Sequence, residues 1–286
     1  MVVRGALDRA EIDRIVSLAL AEDVGAGDLT SRAVIPADAT LTAIMHARQP
    51  MVLAGVELAE AAFHACDNAA RFEAAARDGE RLDTGAVIAR VTGNARAALT
   101  AERTALNIVQ HLSGIATATR TYADRIAHTK CRLLDTRKTI PGLRVLAKYA
   151  VRMGGGDNHR MRLDDGVLIK DNHIARVGGV AAAVAAARTL DTSASTIGIT
   201  VECDTLDQVR DALDAGADRL LLDNMDPATL REAVAIVGGR VPLEASGGVT
   251  LDTIAGIAET GVDFVSVGRI TQSAPAVDIG LDYGDF

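Results

Sequence analysis

The chain has 286 residues, 49% of them hydrophobic and 24% charged, with a formal net charge of -8. That length supports a substantial core, in one large domain or two ordinary ones. The acidic balance argues against broad binding to nucleic acid or to a membrane surface, but it leaves room for a local anion site. Aromatic residues make up only 2% and tryptophan is absent, so the core must be Ala, Val, Leu and Ile, which suits helices packed on parallel strands. The cysteines, Cys66, Cys131 and Cys203, are odd in number and far apart. That disfavours a disulfide framework or a zinc site and fits a reducing compartment. Charges in "MVVRGALDRAEIDRIV" interrupt any signal-peptide core. No window reaches the roughly 18 apolar residues of a membrane helix. A cytoplasmic protein is expected.

Apolar spacing predicts a first helix over about 8–21, with Ile12, Ile15, Val16, Ala19 and Leu20 on one face. A loop, "EDVGAGDLTSRAVIP", follows it. Strand-like runs come at "LTAIMHAR", "MVLAG" and "GAVIARVTG", with a helix over about 57–65 between them. A long helix is expected over about 97–113, with Leu99, Leu106, Val109 and Leu112 apolar. Arg103, Asn107 and Gln110 share one face of it. That stripe reads either as a solvated face or as one turned to a site or a second subunit.

From residue 131 the texture becomes regular. Strands are expected at "CRLLDT", "GVLIK", "IGITVEC", "RLLLDN", "VPLEAS" and "FVSVG", separated by helices over 142–153, 175–190, 205–215, 227–236 and 251–260. Such alternation implies a parallel sheet with right-handed crossovers. Six units in this length fall short of a complete eight-fold barrel, which needs about 200 residues or more. The fold class is therefore α/β: an N-terminal α+β domain over 1–115, then an incomplete α/β barrel of about six parallel strands over 116–272. The tail, 273–286, is expected to pack with the first domain.

All four lysines of this acidic chain lie between Lys130 and Lys170, and Arg132, Arg137, Arg144, Arg152, Arg160 and Arg162 crowd the same span. The strand ends are just as uneven. They carry Asp135, Arg137 and Lys138; Lys170, Asp171 and Asn172; Glu202 and Asp204; Asp223 and Asn224; Glu244, Ser246, Gly247 and Gly248; and Gly268 and Arg269. In βα architectures the active site lies at this edge. Arg137, Lys138, Arg160 and Lys170 would form a cationic bowl for carboxylates. Glu202 and Asp223 supply a carboxylate pair suited to sugar hydroxyls or Mg²⁺. The turns "SGG" at 246–248 and "VGR" at 267–269 expose backbone N–H groups that suit a phosphate. The loop "GGGDNH" brings His159 beside Arg160; a lone loop histidine has no task by default, and its neighbour favours one here. Together these residues describe a site for a phosphorylated sugar and a second, carboxylated anion.

The segments "ERTALNIVQHLSGIAT", "DTRKTIPGLRVLAKYAVRMGGGDNHR", "LIKDNH", "LLLDN" and "EASGGV" resemble nicotinate-nucleotide pyrophosphorylase (carboxylating), also called quinolinate phosphoribosyltransferase. The likeness extends from "EDVGAGDLTS" to "VDIGLDY". It implies transfer of phosphoribosyl from phosphoribosyl pyrophosphate to quinolinate, with Mg²⁺, giving nicotinate mononucleotide, pyrophosphate and CO₂ for NAD synthesis. It implies a homodimer or larger homo-oligomer in which Arg103 reaches the neighbouring site. By the same resemblance Arg137, His159, Arg160 and Lys170 surround the quinolinate carboxylates, and Lys138 lies between these and the pyrophosphate. Glu202 and Asp223 match the acidic pair near the ribose hydroxyls and Mg²⁺. Ser246, Gly247, Gly248 and Gly268 match the 5′-phosphate cradle. Lys138, Lys170, Glu202 and Asp223 are the catalytic set so implied. Ala245, Arg269 and Gln272 depart from the family's usual residues. The alternatives are a paralogue linked to molybdenum transport with a different acceptor, an aldolase-like barrel using Lys170 as a Schiff base, and a non-catalytic binding protein.

Overall fold

A computed structural model describes residues 6–190 and 198–284. Along the chain the elements are α1 (Arg9–Val24), α2 (Leu29–Val34), β1 (Thr40–Ala47), β2 (Met51–Val52), α3 (Val56–Cys66), β3 (Arg71–Ala74), β4 (Arg81–Leu82), β5 (Val87–Asn94) and α4 (Ala95–Ile126). Then come β6 (Arg132–Leu134), α5 (Arg144–Met153), β7 (Val167–Ile169), α6 (Asp171–Val177), α7 (Val180–Arg188), β8 (Ile199–Cys203), α8 (Leu206–Asp214), β9 (Arg219–Asp223), α9 (Pro227–Val237), β10 (Leu243–Ser246), α10 (Ile254–Ala258), β11 (Phe264–Ser266), α11 (Arg269–Gln272) and β12 (Ile279–Tyr283). Ile197, read as the start of a strand, lies outside the described residues, as do the last two of the tail, 285 and 286. No described helix is long and apolar enough to cross a membrane.

The chain divides into two units. One comprises 6–120, 145–155 and 273–284; the other comprises 121–144, 156–190 and 198–272. The first is built on a four-stranded sheet in the order β12-β1-β5-β3, all antiparallel. Its core holds Met45, Leu53, Leu58, Phe63 and Ile88, all 1% exposed or less. The segment read as a plain loop contains α2, because Asp28 caps it and accepts from the Ser31 N–H at 2.9 Å. The short strands β3 and β4 carry little apolar signal and went unread.

The long helix α4 extends thirteen residues beyond the expected Ser113. Gly114 lies in its interior. A Cβ there would stand 2.2 Å from the Pro275 carbonyl oxygen, so the glycine admits a close backbone approach of the returning tail. Gln110 belongs to the same arrangement, donating from Nε2 to the Ile279 carbonyl at 3.0 Å. Of the expected stripe, only Arg103 and Asn107 are exposed.

The second unit is a six-stranded parallel sheet in the order β6-β11-β10-β9-β8-β7. All six expected strands are present. The first strand pairs with the last, while β6 and β7, consecutive in the chain, stand at opposite edges. The sheet is thus a barrel left open between its first two strands. Part of the gap beside β6 is taken by Asp157, which forms an isolated parallel bridge to Leu134. The single helix expected over 175–190 is two, α6 and α7, interrupted at Gly178–Gly179.

Strand alternation sorts the sheet's side chains. Leu133, Ile169, Val201, Cys203, Leu220, Leu222, Leu243, Ala245 and Val265 share one face, all buried. The other face carries Glu202, Asp223, Glu244, Ser246 and Ser266. Ala245 therefore points away from Ser246 and lies on the apolar face, so its departure from the family's usual residue leaves the polar face unchanged.

Alanine in place of Gly114 tests the packing of the first unit. Helix propensity alone would favour alanine by about 1 kcal/mol. The clash with Pro275 reverses the sign, at about 1–3 kcal/mol for overpacking. Chemical denaturation should show Gly114→Ala unfolding at lower denaturant than the unmodified protein; a higher midpoint would contradict the close approach.

Candidate active site

Every sequence-predicted site residue except Arg103 lies in the second unit. Lys138, Lys170, Glu202, Asp223, Ser246 and Gly268 stand at the carboxyl ends of its strands. Parallel register brings the acidic residues together. Glu202 pairs with Leu221, and Asp223 lies two residues further along the same face of β9. Ser246 pairs with Asp223. Lys170 follows Ile169, the partner of Val201, and so stands beside Glu202. Its Nζ lies 2.5 Å from Glu202 Oε2, with Glu202 buried and Lys170 half exposed.

The end of β6 is held by Asp135, which is fully buried. Its carboxylate accepts from Asn158 Nδ2 at 2.6 Å and from the His159 N–H at 2.8 Å. Those bonds fold the 157–160 segment onto the strand end that also launches Arg137 and Lys138. Arg144 completes the clasp. It donates to Thr139 Oγ1 at 3.2 Å and to the carbonyls of Arg137 at 3.4 Å and Met161 at 3.2 Å.

Much of the cationic crowd proves structural. Arg132 pairs with Asp157 at 2.7 Å, Lys130 with Asp263 at 3.0 Å, and Arg162 with Asp164 at 3.0 Å. Lys148 is fully buried in α5. Arg137, Lys138 and Arg160 differ: none has an ion pair among the described residues. Arg137 Nε is buried with no hydrogen-bond partner. Burial, and then the charge of Arg137, lower the affinity of Arg160 for its proton. Its Nη1 donates only to the neutral Gly166 carbonyl, at 2.7 Å. Asp165 offsets part of that charge at Arg160, and with no ion pair closing on either arginine among the described residues the arrangement is open to an anion.

The glycine turns carry their own constraints. Gly247 has φ +92°, and a Cβ there would fall 2.1 Å from Asn224 Oδ1. Only glycine fits beside Asn224, whose N–H donates to the Ser246 carbonyl at 2.9 Å. Gly268 lies against the Lys138 side chain. The following Thr271 donates from Oγ1 to the Lys138 carbonyl at 2.8 Å. The second glycine turn is thereby tied to the catalytic-lysine candidate. Arg269 and Gln272 are both exposed.

Two residues escaped the site reading. Glu244, seen in sequence only as one strand-end acid, is fully buried on the polar face. Arg219, at the start of β9, has Nη2 2.8 Å from Glu244 Oε2, out of line for a hydrogen bond. The signal available was a glutamate between Leu243 and Ala245 inside an apolar strand.

The sequence matches two family models, "Quinolinate phosphoribosyl transferase, N-terminal domain" over 28–113 and "Quinolinate phosphoribosyl transferase, C-terminal domain" over 115–282. It is 44% identical to nicotinate-nucleotide pyrophosphorylase [carboxylating] of Mycobacterium leprae, over 92% of this chain and 94% of that one. It is 42% identical to the mitochondrial quinolinate phosphoribosyltransferase [decarboxylating] 2b of Nicotiana tabacum, over 95% of this chain and 82% of that protein. Its fold superposes on the nicotinate-nucleotide pyrophosphorylase structure from Francisella tularensis with a TM-score of 0.93, at 42% identity and 98% coverage of both chains. With both halves of the architecture and nearly the full length matched, the chain belongs to the quinolinate phosphoribosyltransferase family.

Proposed function

We propose that the chain transfers phosphoribosyl from phosphoribosyl pyrophosphate to quinolinate with loss of CO₂, yielding nicotinate mononucleotide for NAD synthesis. The observation that carries this reading is the pair Arg137 and Arg160, near enough for the charge of one to act on the other and neither in an ion pair among the described residues, with Lys138 next to Arg137 in the chain. A pyridine dicarboxylate supplies the missing negative charge, and guanidinium forks suit carboxylates.

In this reading Arg137 and Arg160 hold the quinolinate carboxylates, with Lys170 and His159 at their margin. Ser246 and the backbone N–H groups of Gly247, Gly248 and Gly268 hold the 5′-phosphate. Glu202 and Asp223 face the ribose. The bond from C1′ to pyrophosphate breaks, the electron pair leaving with the pyrophosphate. Lys138, beside Gly268, offsets that charge. The acidic pair favours the cationic sugar, and the quinolinate nitrogen attacks C1′. The ring, now cationic, accepts the electron pair of the C2–carboxylate bond as CO₂ departs, and C2 then takes a proton. The protein's share is positioning and electrostatics, without a covalent intermediate. The Lys170–Glu202 ion pair disfavours the Schiff-base alternative, since a paired ammonium is a poor nucleophile.

Two carboxylates on adjacent strands suit Mg²⁺, which binds through one or two carboxylates together with substrate phosphates. No cluster of three or more metal-ligating side chains occurs among the described residues, so a site completed by substrate fits better than a protein-only cage. Glu202 and Asp223 would hold the ion, directly or through water, and it would supply positive charge to the pyrophosphate. Arg103, exposed on α4, is read as serving the site of a second copy in a homodimer.

With phosphoribosyl pyrophosphate and Mg²⁺, quinolinate should yield nicotinate mononucleotide and CO₂ in equal amounts, and nicotinate should yield nothing. Turnover of nicotinate, or of neither acid, would overturn the acceptor assignment. Arg103→Ala and Lys138→Ala variants should each be inactive, and their co-refolded heterodimer should recover part of the activity. Confirmed heterodimers that stay inactive would refute the shared site.

A further inference from the structure

The loop that presents Arg160 is tied to a buried acid that the catalytic reading leaves unused. His159 Nδ1 accepts the Arg160 backbone N–H at 2.7 Å. A ring nitrogen that accepts carries no proton, so the proton of the neutral imidazole resides on Nε2. That atom faces Glu244 Oε2 at 3.4 Å. Both ring nitrogens of His159 are thus directed at protein groups.

Glu244 is fully buried, and neither of its oxygens has a hydrogen-bond partner of good geometry among the described residues. Arg219 offsets its charge, with Nη2 at 2.8 Å and the guanidinium 4.1 Å above the Phe264 ring. Burial by itself would raise the Glu244 carboxyl, but His159, Arg219 and Ser266 outweigh it and hold the group below the ordinary glutamate value. A charged pair inside a sheet is a weak source of stability, because desolvation cancels much of the attraction. Its placement directly under the substrate loop points to a use in the site.

We propose that Glu244 is a positioning residue: its carboxylate orients the His159 ring, and the ring in turn fixes the Arg160 backbone so that the guanidinium meets a substrate carboxylate. This rests on the quinolinate reading above only for the identity of that carboxylate. The 3.4 Å separation is long for a hydrogen bond, and contacts of this kind often tighten only once a ligand is bound.

Removing Glu244 alone would strand the Arg219 charge, so the informative variant is the pair Glu244→Leu with Arg219→Leu. We expect it to raise KM for quinolinate about tenfold or more, with KM for phosphoribosyl pyrophosphate within about twofold. Glu244→Gln, whose amide oxygen accepts the same Nε2–H, should stay within about threefold of the unmodified enzyme. In a His159→Ala background the leucine pair should add little, since coupled residues are not additive. Independently of activity, long-range ¹H–¹⁵N spectra of the histidine rings should show His159 as the Nε2–H tautomer, and the leucine pair should disturb it. Equal effects on both substrates, an additive cycle, or an unchanged His159 tautomer in the leucine variant would each overturn the proposal. Should the unmodified protein fail to turn over quinolinate, the acceptor assignment falls, and the tautomer spectra still decide whether Glu244 orients His159.

Discussion

Two neighbouring arginines that no carboxylate pairs directly set the terms for the second unit. Burial first, and then the charge of Arg137, weaken the hold of Arg160 on its proton, with Asp165 opposing them. Keeping the two arginines close costs free energy that the surrounding structure must offset. The offset comes from a fully buried aspartate, Asp135, which ties the 157–160 segment to the end of β6. Arg144 adds three further bonds across the same loops. On the function proposed above, these bonds hold the loops ready for an anion before it arrives.

Parallel pairing then does the rest. With one face of the sheet given to buried apolar side chains, the opposite face is free to carry carboxylates and hydroxyls. Glu202, Asp223 and Ser246 become neighbours because adjacent strands are in register, although they are far apart in sequence. The opening of the barrel between β6 and β7 leaves a sheet edge beside β6, where Asp157 bridges to Leu134. A closed barrel would place a strand there instead of the loop that carries His159 and Arg160.

The strands of the second unit were legible because each is a short aliphatic run ending in a charge or a glycine. The polar ends, read in succession, pointed to the sheet edge proposed above as the site. What sequence could not separate was the cation engaged in ion pairs or loop hydrogen bonds from the one left open to a ligand. Arg132, Arg144 and Arg162 look the same in the chain as Arg137 and Arg160; only the carboxylates and carbonyls brought to them in three dimensions distinguish them. Glu244 was hidden for the opposite reason, since a single acid in an apolar strand gives no hint of Arg219 beneath it. The continuation of α4 through Gly114 could not be read locally, because the reason for a helical glycine there, the Pro275 carbonyl, lies 161 residues further along the chain. The short strands β3 and β4 have mostly exposed side chains and so carry no apolar period to read.

The central claim is that the unpaired arginines are a socket for two adjacent carboxylates. Calorimetric titration with benzene-1,2-dicarboxylate, which has both carboxylates but no ring nitrogen to react, tests it without turnover. The account predicts binding at least about tenfold tighter than that of benzoate, a gap of about 1.4 kcal/mol, and loss of that preference in Arg160→Ala. Equal affinity for the two acids, or a preference that survives removal of the Arg160 guanidinium, would contradict it.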